Sequence, residues 1–260
     1  MSNLNTLFRR RIGFPEHEEI TFEKLDIILE KTAKSIPFEN LCIIGNRTTY
    51  ISKDHLINKL LTKNEGGLCY ELNALLYFFL AQNGFDITLV RGVIFNQQKQ
   101  RWNTIGKTHV TNLITHNGQV FLADTGFGGN LPLRPVPLTG ETTSSATGEF
   151  CVKKEESDYG EYIFYMKLRD KDKEWKKGYA FDSAQAVEDA AELNDVQKII
   201  LEHPESPFNK KKLITMLTDR GNATLTESSF TVWRDGKSEK KEVGQKEFTE
   251  IAKKYFGLSD

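Results

Sequence analysis

Apolar positions recur at helical spacing through the first third of the chain. The series Phe22, Leu25, Ile28, Leu29 and Ala33 predicts a helix with Thr21 as its N-cap. A second helix is predicted from Ser52, with Leu56, Ile57, Leu60 and Leu61 on one side, stopping before Asn64-Glu65-Gly66-Gly67. A third runs from about Cys69 to Asn83 and is nearly continuous in apolar residues, with Gly84 as its C′ residue. A helix apolar on so many sides is expected to be buried on most of them.

The pattern changes at Asp86. Residues 87–95, 108–115 and 119–123 read as strands, and Asn117-Gly118 between the last two is a strong hairpin signal. Residues 126–140 follow, where Pro132, Pro135 and Pro137 discourage regular structure. Strand-like runs resume at 149–153, 162–169 and 175–181. Helix returns over 187–201, closed by Pro204 and Pro207. The remainder alternates strand-like runs at 213–217, 223–226 and 230–234, then a helix near 245–256. This layout predicts an α+β protein with a helical part over 1–85, a β-rich part over 86–186 and a mixed part over 187–260.

Composition narrows the class. The 260 residues include 17 Phe, 8 Tyr and 3 Trp, enough bulk for a real core. Basic residues number 35 and acidic ones 36, so no excess of positive charge advertises a nucleic-acid partner. No run approaches the roughly 18 to 20 apolar residues of a membrane span; the nearest, near 72–81, is broken by Asn73. Residues 1–11 are polar and then basic, without an apolar stretch of signal-peptide length behind them. The three cysteines, Cys42, Cys69 and Cys151, are scattered, which disfavours a disulfide framework or a metal site and fits reduced thiols in cytoplasm.

Cys69 stands out by its place. It follows Gly66-Gly67-Leu68 and opens the long apolar helix, where the helix dipole and free N–H groups favour a thiolate. The plainer reading is a small buried core residue. A cysteine nucleophile needs a base, and the base an orienting group. If His116 pairs with Gln119 across the Asn117-Gly118 turn, Asp124 falls opposite Thr111, two residues from His109 on the same face. Diagonal neighbours of this kind lie about 7 to 8 Å apart, within reach of long side chains. A hairpin read from its turn alone therefore puts His109 beside Asp124, and with Cys69 completes a candidate Cys-His-Asp triad. A register slip of one residue would separate the pair.

Glu65-Gly-Gly-Leu-Cys-Tyr-Glu-Leu-Asn73 resembles the nucleophile motif of the arylamine N-acetyltransferases. The resemblance extends through Arg11-Ile12-Gly13, Ile36-Pro-Phe-Glu-Asn-Leu41, Thr108-His109, Asp124-Thr-Gly-Phe-Gly128, His203-Pro-Glu-Ser-Pro-Phe208 and Tyr255-Phe-Gly-Leu258. It implies a helical bundle, a central β-barrel and a C-terminal α/β lid. It also implies ping-pong transfer: acetyl-CoA acetylates Cys69, CoA leaves, and a small aromatic amine or hydrazine takes the acetyl group. His109 would be base and acid, paired with the Cys69 thiolate as an imidazolium, and Asp124 would orient it. No metal is expected, and the resemblance implies a cytoplasmic setting and a role in xenobiotic metabolism. Phe38, Tyr70 and Phe127 would meet the arylamine, or be ordinary packing residues. Gly128 and Gly129 would let the backbone approach the CoA pyrophosphate, or be plain turn glycines. Lys210-Lys-Lys212 reads as a solvated face.

Two residues depart from the family pattern. Glu65 stands where arginine is usual, and with Glu71 it puts two carboxylates near Cys69, working against a thiolate. A compensating cation, or solvent exposure of Glu65, is therefore expected. Thr125 stands where a small apolar residue is common. The competing readings are a Cys-His-Asp hydrolase of the transglutaminase or cysteine-protease type, and an inactive ligand-binding relative. Shielding of the thioester from water separates transferase from hydrolase.

Overall fold

Leu4, Phe8 and Ile12 fall four residues apart and share one helical face. The computed structural model, which describes residues 3–258, buries all three on α1 (Asn3–Ile12), where Phe8 stacks on Phe79. The predicted helices begin only at Phe22, because the run Arg9 to Arg11 masks the apolar spacing of α1. α2 (Leu25–Ser35) buries Leu25, Ile28, Leu29 and Ala33 as predicted. It starts later than expected: a 3-10 turn, Phe22–Lys24, precedes it, and Thr21 makes no side-chain capping bond. β1 (Phe38–Glu39) and α3 (Leu41–Ile44) follow. α4 (Lys53–Leu56) starts where the cap predicts, with Ser52 accepting from the His55 N–H. It runs on into a π-helical turn, Ile57–Thr62, that buries three consecutive residues, Lys59, Leu60 and Leu61. α5 (Cys69–Gln82) is buried on nearly every side, and Gly84 after it takes the left-handed conformation, φ +84°.

The middle of the chain is a nearly closed antiparallel barrel. Its strands are β2 (Asp86–Asn96), β3 (Arg101–Trp102), β4 (His109–His116), β5 (Gln119–Ala123), β6 (Val136–Pro137), β7 (Thr143–Ser144), β8 (Gly148–Ser157), β9 (Gly160–Leu168) and β10 (Lys176–Ala186). They run in the order β6-β5-β4-β2-β10-β9-β8-β7, with β3 appended to β2. The β4–β5 hairpin has the register its turn predicts, His116 opposite Gln119 and Asn112 opposite Ala123. The proline-rich passage is less irregular than expected: Val136 and Pro137 pair with β5 at the sheet edge, where a missing N–H is tolerated. Val90, Leu122, Phe150, Phe164, Tyr179 and Phe181 fill the barrel, and α5 lies across β2 and β4.

α6 (Ala190–Glu202) is capped by Asp189 and sends Leu193, Val196 and Ile200 into the core of α1, α2 and α5. A second 3-10 turn, Pro207–Asn209, leads to β11 (Leu213–Thr218), β12 (Gly221–Thr226), β13 (Ser229–Arg234), β14 (Lys237–Glu242) and α7 (Gln245–Phe256). These strands form a five-stranded sheet with β1 at its edge, Phe38 opposite Thr215. β14 escaped prediction because all six of its residues are exposed, five of them Lys or Glu and the sixth Ser238, as suits a protected edge. Phe248, Ile251, Ala252 and Phe256 of α7 cover the sheet's apolar face. Phe38 also bridges Gly67 just before α5, so the β1–β11 pairing ties the C-terminal sheet to the neighbourhood of Cys69.

Candidate active site

Cys69 is the first residue of α5, entered from an extended Leu68. The approach is crowded enough to require glycine. A Cβ on Gly66 would lie 2.3 Å from the Pro37 carbonyl, and one on Gly126 only 2.6 Å from Cys69 Cα. The loop after Asp124 therefore presses on the nucleophile's own backbone. The Cys69 thiol is 4% exposed and lies 3.4 Å from the Thr108 carbonyl.

His109 opens β4, and its Nε2 meets Asp124 Oδ2 at 2.7 Å in a fully buried pair. Cys69 lies close enough to the His109 ring to favour its charged form. Asp124 accepts four bonds. Oδ2 takes His109 Nε2 and the Tyr179 hydroxyl at 2.8 Å; Oδ1 takes Asn73 Nδ2 at 2.8 Å and the Gly126 N–H at 2.7 Å. Burial opposes charge on His109, but Asp124 and then Cys69 overcome it and hold the imidazole well above its usual range, at about 10. Burial likewise opposes the Asp124 carboxylate, yet His109, Asn73 and Gly126 N–H keep its pKa below the ordinary value.

Sequence reasoning reached Cys69, His109 and Asp124, and the structure brings all three together. It missed the two residues that fix the aspartate. Asn73 lies one helical turn after Cys69 on the same face, a polar residue inside an apolar helix, which was a usable signal. Its Oδ1 accepts from the Thr125 N–H and hydroxyl, so the unusual Thr125 is a supporting contact. Tyr179 comes from β10, and nothing in the local sequence marks it.

The His109–Asp124 pair predicts a pH dependence of stability. A raised folded pKa contributes stability that is fully present below about 6.5, the unfolded value, and lost as pH rises through about 10. The depressed Asp124 contributes above its unfolded value near 3.8 and loses that contribution as pH falls through its folded value. Urea midpoints should therefore fall between pH 6 and 10 in the wild type and fall less in Asp124→Asn. Equal slopes in the two proteins would sink the assignment.

A cleft of about 450 Å³ opens above Cys69 and His109. Phe38, Phe127, Gly128 and Gly129 line it, as do Phe208 and Asn222. Phe38 meets Phe208 edge-on at 5.6 Å, and Phe127 meets the His109 ring at 5.1 Å. Gly128 adopts φ +62° at the cleft wall. Asn222 is buried, and its Oδ1 has no partner among the described residues. Asn40 fastens the cleft's far wall, donating to the Phe208 and Lys211 carbonyls at 2.8 Å each. Tyr70 does not belong to the cleft. Successive helix residues diverge by about 100°, and its hydroxyl faces Gln197 of α6 at 3.3 Å. It borders instead a second cavity, with Lys59, Glu65 and Glu71. Lys210, Lys211 and Lys212 are not cleft residues either.

The expected compensating cation is present, and it is Lys59. Its Nζ pairs with Glu71 Oε1 at 2.5 Å. Glu65 is half-buried and accepts from Cys42 Sγ at 3.6 Å. Burial, with Glu39 and Glu71 adding to it after Lys59 opposes it, pushes the Cys42 thiol up to about 11.

A buried thiol beside an imidazole that is held by a carboxylate is equipped for nucleophilic acyl transfer or acyl hydrolysis. A family model described as N-acetyltransferase matches residues 21–259. An uncharacterized acetyltransferase of Bacillus subtilis is 37% identical over 95% of both chains. A probable arylamine N-acetyltransferase of Dictyostelium discoideum is 33% identical over 89% of this chain and 83% of its own. Among solved structures, an arylamine N-acetyltransferase from Bacillus cereus with a Cys-His-Glu catalytic triad superposes with a TM-score of 0.95, at 39% identity and 100% coverage of both chains.

Proposed function

We propose that this chain, which belongs to the arylamine N-acetyltransferase family, moves acetyl from acetyl-CoA to arylamines or hydrazines through a thioester on Cys69. The buried Cys69–His109–Asp124 constellation carries this reading. The Cys69 thiolate adds to the acetyl carbonyl, and the tetrahedral adduct collapses by breaking the bond to CoA sulfur. His109 gives its proton to the departing CoA thiolate. The amine then adds to the thioester, His109 takes the amine proton, and Cys69 leaves as thiolate. Asp124 keeps the imidazolium stable and oriented throughout.

The cleft supports both substrates. Phe38, Phe127 and Phe208 offer flat apolar walls to an aromatic ring. Gly128, the side-chain-free Gly129 and Asn222 Oδ1, unpartnered among the described residues, suit the amide-bearing arm of CoA, which brings its own N–H donors. Residues 1–85 would carry the nucleophile, 86–186 the base and its orienting acid, and 187–260 a cover that keeps water from the thioester. A cytoplasmic setting and a role in xenobiotic metabolism fit reactive thiol chemistry on small aromatic amines.

Intact-protein mass after brief incubation with acetyl-CoA tests the reading. One acetyl group should appear on wild type and disappear as acetylated amine forms on addition of an arylamine. An adduct that decays to acetate with or without amine would make the protein a hydrolase.

A further inference from the structure

The loop that delivers Cys69 is gripped from behind by one buried residue. Lys59, on the π-helical turn, is 5% exposed. Its backbone carbonyl accepts the Glu65 N–H at 3.0 Å, the first residue of the loop. Its side chain pairs with Glu71 Oε1 at 2.5 Å, while Glu71 Oε2 accepts the Leu68 N–H at 3.0 Å, the amide just before Cys69. Lys59 thus holds the 65–68 loop at both ends. Glu39 of β1 is buried on the same side, and its N–H donates to the Gly67 carbonyl at 3.0 Å.

We propose that Lys59 is a positioning residue for the nucleophile: its charge neutralises the carboxylates behind Cys69, and its ion pair with Glu71 fixes the first turn of α5. This rests on the acetyl-transfer reading in taking Cys69 as the nucleophile. The 65–68 loop, Glu-Gly-Gly-Leu, carries no cation of its own, and the neighbouring π-helical turn supplies one. Without it, Glu39 and Glu71 would face the helix N-terminus uncompensated, and their field would favour the neutral thiol. The other titratable groups around Cys69 are its chain neighbour Tyr70 and, from the barrel, His109 and Tyr179, with Asp124 behind His109. Cys42 of α3 and His55 of α4 also face the Lys59 side. Arg47 and Lys63 border the same cavity, but both are exposed at its rim.

The π-helical turn is what makes this possible. Its wider winding brings Lys59 inside together with Leu60 and Leu61. Such turns are found frequently at functional sites. A solvated lysine on an ordinary amphipathic helix would be screened from α5.

The test is the pH dependence of Cys69 alkylation by iodoacetamide, which reads the thiolate fraction directly. Lys59→Met should move the alkylation midpoint up by about one unit, a rate about tenfold lower on the rising limb. Lys59→Arg should stay close to wild type. Glu65→Arg in the Lys59→Met background should recover the midpoint, because it returns a cation to the loop. Glu71→Gln should shift the midpoint the opposite way, down, which mere loosening of the fold would not do. An unmoved midpoint in folded Lys59→Met would show that Lys59 only fills space and would overturn the proposal. Should Lys59→Met not fold, a midpoint unchanged or raised in Glu71→Gln overturns it equally. Alkylation needs no acetyl-CoA, so these shifts in a protein that takes no acetyl group would overturn the transfer reading alone.

Discussion

Cys69→Ser will take up no acetyl group from acetyl-CoA, and transfer to an arylamine will fall by at least about 10⁴-fold. The substitution exchanges one atom at a site already 4% exposed, so the fold has little to adjust. The serine hydroxyl can still reach the Thr108 carbonyl that the thiol touches. What it cannot do is ionise: the imidazolium–Asp124 pair at its side stabilises an adjacent anion, and a hydroxyl lies too far from ionisation for that help to suffice. The loss should therefore fall on the first half-reaction. CoA release measured in a single turnover, without any amine, should vanish while the urea midpoint stays near wild type. Cys151→Ser, in the barrel wall, should leave the transfer rate within about twofold. If Cys69→Ser still released CoA in a burst, the thioester route would be wrong and direct attack by the amine would replace it.

The triad was readable because each of its members rests on a short-range rule. The helix start gives Cys69 its place, and the Asn117-Gly118 turn fixes the hairpin register that sets His109 against Asp124. What lay beyond the sequence reading is what reaches the site from distant strands and helices. Tyr179 arrives on β10, which pairs with β2 rather than with β4, so no local spacing relates it to Asp124. Lys59 arrives on a π-helical turn, and a periodicity search assumes 3.6 residues per turn and places that side chain outside. Asn73 was within reach: one turn from Cys69, polar and wholly buried, it had no apolar reason to be there.

The fold divided along the same line. Helices and strands with a strong apolar period were found, whereas α1 and β14 were hidden by charge. The C-terminal sheet carried a further surprise in β1. Two residues, Phe38 and Glu39, are too few to show alternation, yet their pairing with β11 brings Thr215 and the cleft's far wall to Cys69. Glu39 and Asn40 then serve both sides of the junction, the first through the Leu41 N–H and the Gly67 carbonyl, the second through the Leu213 N–H at 2.8 Å. A chain segment of this kind is read by its hydrogen bonds, and those are tertiary facts.

Asp124→Asn will lower kcat/KM by about 10³- to 10⁴-fold, more than removal of one hydrogen bond would cost. The reason lies in the four donors around the carboxylate. Two approach Oδ2, from His109 and Tyr179, and two approach Oδ1, from Asn73 and the Gly126 N–H. An amide must place its own N–H₂ on one side or the other, so either orientation sets donor against donor inside a dry site. With its anion gone, His109 keeps the burial that opposes its charge and loses the main influence that favours it. The imidazole becomes neutral at working pH, and the acid that must protonate CoA sulfur is missing. Asp124→Glu separates charge from geometry. It keeps the carboxylate but moves it by about one methylene, roughly 1.5 Å, relative to the four donors. The glutamate variant should therefore retain measurable acetyl transfer, weaker than wild type and at least about tenfold above Asp124→Asn. Steady-state rates across pH 6 to 10 for the three proteins decide it. An asparagine variant within about tenfold of wild type would mean that Asp124 only packs beneath His109.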